Sequence, residues 1–141
     1  MHQIELLVRL SVELHNLNAQ AQRHHELSLV QWLVLRKILA SPAISASSLA
    51  LLSGIHPSTL TPTLQRLEGA EWIYMLERPS DLRQKMLIVS QKGFKICVNF
   101  EKTLRTVLKN LEFKDCDDPI DATRALTVTI AQRLQETKNL G

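Results

Sequence analysis

The feature that most constrains this chain is a change of period near its middle. Up to Glu71 the apolar residues recur at helical spacing. From Trp72 they come as two short β-type runs, Trp72-Ile73-Tyr74-Met75-Leu76 and Lys85-Met86-Leu87-Ile88-Val89, separated by the polar stretch Glu77-Arg78-Pro79-Ser80-Asp81-Leu82-Arg83-Gln84. After Ser90 the helical spacing returns. A single hairpin set among helices makes the chain mainly α, in the α+β class.

The helices on either side carry start and stop signals. Residues 3–25 read as a first helix, with Leu7, Leu10, Leu14, Leu17 and Ala21 on one stripe. Ile4, Leu6, Val8 and Val12 widen its apolar surface, so it calls for more than one neighbour, and a second chain is the expected one. Ser28 caps a helix over 28–40, which Ser41-Pro42 ends because proline cannot continue the hydrogen bonding. A serine opens a short helix that Gly54 closes, and Pro57 starts the next, running to about Glu71. Ser90 caps a long helix to about Leu111, with Phe94, Cys97, Leu104, Leu108 and Leu111 as its stripe. Pro119 opens a last helix, through Ile120, Leu126, Ile130 and Leu134 to about Lys138.

Two short helices around a glycine turn, followed by a hairpin, describe a winged helix-turn-helix. Ala50 is small where the two helices cross, and Ile55 and Leu60 plug the angle between them. On the helix from Pro57, Leu60, Leu64 and Leu67 point inward. Ser58, Thr59, Thr61, Pro62, Gln65 and Arg66 lie opposite or flanking, and together with Ser47 and Ser48 they form the expected DNA face. Small polar residues allow close approach to a groove and supply donors for phosphates and base edges. Pro62 removes a hydrogen bond to Ser58 and shapes that face. Arg78 and Arg83 on the hairpin, with Lys85 on the returning strand, suit the DNA backbone or a narrow minor groove. Asp81 is expected to hold an arginine or to cap the loop backbone. Charge agrees in direction: residues 28–92 hold seven Lys/Arg against four Asp/Glu, while the flanks nearly cancel.

The stretch Leu60-Thr61-Pro62-Thr63-Leu64-Gln65-Arg66-Leu67-Glu68, then Trp72-Ile73, Arg78-Pro79-Ser80-Asp81-Leu82-Arg83 and Val89-Ser90-Gln91-Lys92-Gly93, resembles the MarR family of regulators. The resemblance covers nearly the whole chain in element order. It implies a homodimer whose paired recognition helices read a palindromic site on double-stranded DNA. It also implies a repressor whose affinity is tuned by a small-molecule effector between the helices. Residues 1–27 and 90–141 would form the helical dimerisation part, and 28–89 the winged helix. Two positions depart from the pattern: Val89-Ser90 stands for the usual Leu-Thr, and Gln84 for a second arginine. The first helix has no cysteine in Arg9-Leu10-Ser11-Val12-Glu13-Leu14, unlike the peroxide-sensing branch.

Other chemistries find little footing. None of the five histidines sits in a catalytic motif, so no enzyme is expected. Neither a cofactor nor a metal is expected, and His24-His25-Glu26 reads as a polar interhelix turn. Cys97 should be a buried packing residue, and Cys116, among Asp115, Asp117 and Asp118, should be unreactive. Glu101 either pairs with an Arg or His of another helix, lines a pocket, or is exposed. Without a leader or spanning segment the chain is expected in the cytoplasm, away from membranes. The alternative function is a winged helix used as a protein-interaction module, since fold does not fix function.

Overall fold

A computed structural model describes residues 2–109. The elements are α1 (His2–His25), α2 (Leu29–Ala40), β1 (Ile44–Ser45), α3 (Ala46–Ser53), α4 (Pro57–Gly69), β2 (Ile73–Arg78), β3 (Asp81–Val89) and α5 (Gln91–Lys109). The α+β class and the winged-helix order stand as expected. The helix expected from Pro119 and Cys116 lie outside the described residues.

Local chemistry sets the boundaries. Ser28 and Gln31 form a reciprocal capping box at the start of α2: the Ser28 hydroxyl accepts from the Gln31 N–H at 3.1 Å, and the Gln31 side chain accepts from the Ser28 N–H at 2.9 Å. Asn18 Oδ1 accepts the Leu29 N–H at 2.9 Å, which ties α1 to the same end. Gly54 takes the left-handed conformation (φ 69°) and its N–H returns to Ala50 at 3.1 Å, closing α3.

Two expectations about the sheet need correction. The sheet has three strands, in the order β1-β3-β2, where only a hairpin was read from the sequence. Ile44 pairs with Leu87 and Ser45 with Met86, and both β1 residues are buried. A two-residue strand carries too little period to be seen in a sequence. The second correction is the length of the hairpin, whose strands run on to Arg78 and Asp81 and leave only Pro79-Ser80 as the turn. A wing projecting into water needs no apolar side chains to keep its ladder, so polarity there does not mean loop.

The core is aliphatic, with Leu35, Ile38, Leu49, Leu60, Leu67 and Leu87 almost fully buried and Trp72 and Phe100 beside them. On α5 the buried side is rotated from the expected stripe. At roughly 100° per residue, Gly93, Cys97, Phe100 and Leu104 fall within about 60° of one another, and Phe94 lies about 90° from their centre. Phe94 is accordingly 51% exposed and Phe100 only 1%.

The end of α4 and the start of α5 share one junction. Glu71 adopts φ 63°, the Glu71 N–H donates to Glu68 and the Trp72 N–H to Leu67, each at 2.9 Å. This is a Schellman stop with glutamate in the place usually held by glycine. Ser90 Oγ donates to the Glu71 carbonyl at 2.6 Å and accepts the Gly93 N–H at 3.0 Å, while the Ser90 N–H donates to the Trp72 carbonyl at 2.9 Å. A Cβ on Gly93 would run into the carbonyl oxygen of Trp72. The sequence Ser90-Gln91-Lys92-Gly93 thus holds a capping hydroxyl and a missing side chain, both directed at the 71–72 corner.

Glu71→Gly removes left-handed strain of about 1–2 kcal/mol and restores about 0.4–1 kcal/mol of unfolded-chain entropy. It should raise stability by about 0.5–1 kcal/mol, seen as a higher urea midpoint at unchanged slope. Gly93→Ala should lower stability by about 1–3 kcal/mol, and a midpoint equal to wild type would show that the corner yields freely.

Candidate nucleic-acid interface

Helix α4 begins on an uncommon cap. His56 lies in extended backbone, and its Nδ1 accepts the Ser58 N–H at 3.1 Å and lies 2.7 Å from the Ser58 hydroxyl. Accepting at Nδ1 places the ring proton on Nε2. Pro57 follows at the first helical position, where no N–H is missed. Pro62 stands inside the helix, which continues past it to Gly69. One residue on, the Thr63 hydroxyl turns inward and donates to the Thr59 carbonyl at 2.8 Å.

Packing then divides the helix into two faces. Leu60, Thr63, Leu64 and Leu67 are buried. Ser58, Thr59, Thr61, Pro62, Gln65 and Arg66 are all exposed, and the first turn contains no acid. The division follows the expected one, with Thr63 added to the buried side.

Helix α3 presents Ser47 and Ser48 to solvent at its start. Both also belong to a small hydroxyl cluster. Ser45 caps the helix by accepting the Ser48 N–H at 3.2 Å, and its Oγ lies 3.2 Å from Ser47 Oγ and 3.0 Å from Ser48 Oγ. Ala50 and Ile55 are half-buried in the angle between α3 and α4.

The wing separates its charged residues. Arg83 and Lys85 are exposed on β3. Asp81 is exposed as well, and its carboxylate accepts the Arg83 backbone N–H at 3.0 Å, so it caps the loop backbone, one of its two expected roles. Arg78 is placed differently. It is half-buried, and its Nη2 donates 2.8 Å to the carbonyl of Ala43, in the turn before β1.

A second cluster joins α1, α2 and α5. Glu101 pairs with Arg36 of α2 at 3.8 Å and with Arg105, one turn on, at 3.1 Å, which realises the expected pairing with another helix. The Phe100 ring meets His25 edge-on at 5.4 Å and lies 6.1 Å from Trp32. His25 therefore packs on an aromatic ring, and no group of three or more His, Cys, Asp or Glu that could hold a metal occurs among the described residues. Cys97 is buried, and burial pushes its thiol up to about 11, with Arg36 opposing and Glu101 adding to the rise. At neutral pH it is a protonated packing residue.

Sequence reasoning missed two features that shape this surface, the His56 cap and strand β1. His56 directly precedes Pro57-Ser58, the position a cap must occupy, but histidine is not among the usual capping residues.

Comparison with known proteins bears on this arrangement. Residues 27–85 match the family model described as MarR family. No curated protein sequence matches the chain. Among solved structures, the transcriptional repressor CouR bound to a 23-mer DNA duplex is similar at 24% identity, with 89% of each chain covered and a TM-score of 0.74. FabT of Streptococcus pneumoniae in complex with DNA is 16% identical over 96% of each chain, with a TM-score of 0.68. The PcaV transcriptional regulator of Streptomyces coelicolor, in complex with its natural ligand, is 19% identical over 92% of this chain and 89% of its own, with a TM-score of 0.65. The match to the MarR family model spans the winged helix, and the chain carries the fold seen in the transcriptional regulators of that family.

Proposed function

We propose that this protein is a transcriptional regulator that binds double-stranded DNA as a homodimer and acts as a repressor in the cytoplasm. The observation that carries the reading is the exposed face of α4. It is small, polar and free of acid through its first turn, and it belongs to the same winged helix as Arg83 and Lys85. In this reading Ser58, Thr59, Thr61, Pro62, Gln65 and Arg66 face the major groove. Ser47 and Ser48 approach the backbone from the start of α3, and Arg83 and Lys85 reach the backbone or minor groove from the wing. Asp81 stays out of contact and shapes the loop that presents Arg83.

Dimerisation is supported by α1, where Ile4, Val8, Val12 and Leu14 are between 47% and 61% exposed in the single chain. Apolar side chains in such number on one helix call for a covering surface. Paired recognition helices would read a palindromic operator. Tuning by a small effector bound between the helices is the further part of the reading. It draws on the likeness to PcaV, solved with its natural ligand.

The test is titration of an operator duplex and a random duplex at two salt concentrations. If Arg83 contacts only the backbone, Arg83→Ala should weaken both by similar factors and lower the salt slope by about one. Gln65→Ala or Arg66→Ala should weaken the operator selectively, by about 1–3 kcal/mol. Wild-type operator binding by all three variants, folded and dimeric, would move the protein-interaction module ahead. Sedimentation at micromolar concentration should give twice the 16.0 kDa chain mass, and a clean monomer would sink the dimer.

A further inference from the structure

Arg78 is the one cationic residue of the wing whose side chain is drawn inward. The ladder between β2 and β3 shifts register between Glu77 and Arg78, and Arg78 then pairs with Asp81. The step from Lys85 to Asp81 leaves residues 82–84 of β3 outside the register, so the ladder is interrupted beside Arg78. Here the guanidinium donates from Nη2 to the Ala43 carbonyl at 2.8 Å, across 35 residues of sequence. Its Nε is fully buried and makes no hydrogen bond among the described residues.

The acceptor is as unusual as the donor. Ala43 holds φ 65°, a left-handed conformation that alanine rarely adopts and that surrounding structure must enforce. Both of its backbone polar groups are engaged by the wing: its N–H donates to the Leu87 carbonyl of β3 at 3.2 Å, and its carbonyl receives Arg78 of β2. Two residues on, Ser45 caps α3. The contact thus joins β2 to the turn before β1, the strand on the other side of β3, and through that turn to the helix-turn-helix.

We propose that Arg78 is a positioning residue, a clasp that fixes the wing on the Ala43 turn so that Arg83 reaches DNA, and that it makes no DNA contact itself. The proposal rests on the DNA-binding reading given above. A two-stranded ribbon is marginal by itself, and β1 contributes only two residues of further pairing. Without the clasp the wing tip would sample many orientations, and ordering it on DNA would oppose binding. Arginine suits the role because its planar fork and length reach a fixed carbonyl, which the point charge of lysine does not replace.

The experiment compares Arg78→Met, Arg78→Lys, Arg83→Ala and Arg78→Met/Arg83→Ala, each first shown to be folded and dimeric. Arg78→Met should weaken DNA binding about tenfold and lower the salt slope by about one, matching Arg83→Ala. The double variant should bind within about twofold of Arg83→Ala alone, because both changes remove the same contact. Arg78→Lys should behave as Arg78→Met. Additive losses, a further drop of about one in slope, or full rescue by lysine would show a direct phosphate contact and overturn the proposal. Amide exchange, measured without DNA, should quicken at Ala43 and along residues 80–86 in Arg78→Met while global stability is kept. Unchanged exchange there overturns the clasp by itself. A wild-type protein that binds no DNA overturns the functional reading and, with it, the role given to Arg83.

Discussion

The backbone carbonyl of Trp72 sits where the end of α4, the start of β2, the end of β3 and the start of α5 come together. It accepts the Ser90 N–H at 2.9 Å and lies against the bare Cα of Gly93. The Ser90 hydroxyl completes the corner by donating to the Glu71 carbonyl while accepting the Gly93 N–H. Trp72, Ser90 and Gly93 are buried, and an unmet hydrogen bond in that setting costs about 1–3 kcal/mol. The corner therefore has little freedom. It sets the direction in which the wing leaves α4 and the direction in which α5 leaves the wing. The face that α4 shows to solvent depends on that fixed exit as much as on its own leucines.

From this corner the division of labour in the winged helix follows. Leu60, Leu64 and Leu67 are drawn into the aliphatic core, which leaves the polar side of α4 outward. At its far end the helix is capped by His56 rather than by serine or aspartate, so its exposed start carries no acid. On the wing the carboxylate of Asp81 is taken up by the backbone of the loop it shapes. The first turn of α4 thus carries no acid and the Asp81 carboxylate at the wing tip is engaged locally, which favours the approach of a polyanion there.

The two sides of α5 serve different partners. Cys97 and Phe100 face the core, and Glu101 reaches Arg36 of α2. With the arginines largely exposed, these ion pairs contribute at most about 1 kcal/mol each. The Arg36–Glu101 pair orients α5 against α2 more than it stabilises it. Burial raises the Cys97 thiol well above neutrality. The cysteine is therefore part of the packing, consistent with a chain whose first helix has none in Arg9-Leu10-Ser11-Val12-Glu13-Leu14.

Much of this was legible in the residues alone because it depends on local rules. Ser28 before an apolar run, Gly54 after one and Pro57 at the next start each fix a helix end through their own backbone chemistry. The period of Leu60, Leu64 and Leu67 determined which side of α4 is buried, and hence which polar residues are presented. What remained hidden depends on partners distant in sequence. Strand β1 exists because Leu87 and Met86 offer it a ladder, and two residues carry no period of their own. The rotation of α5 toward Phe100 follows from Gly93 being pressed on Trp72, a contact no spacing reveals. Arg78 and Arg83 look alike in the sequence, five positions apart on one polar stretch. Only the tertiary structure separates them, because a carbonyl 35 residues away captures one guanidinium and leaves the other on the surface.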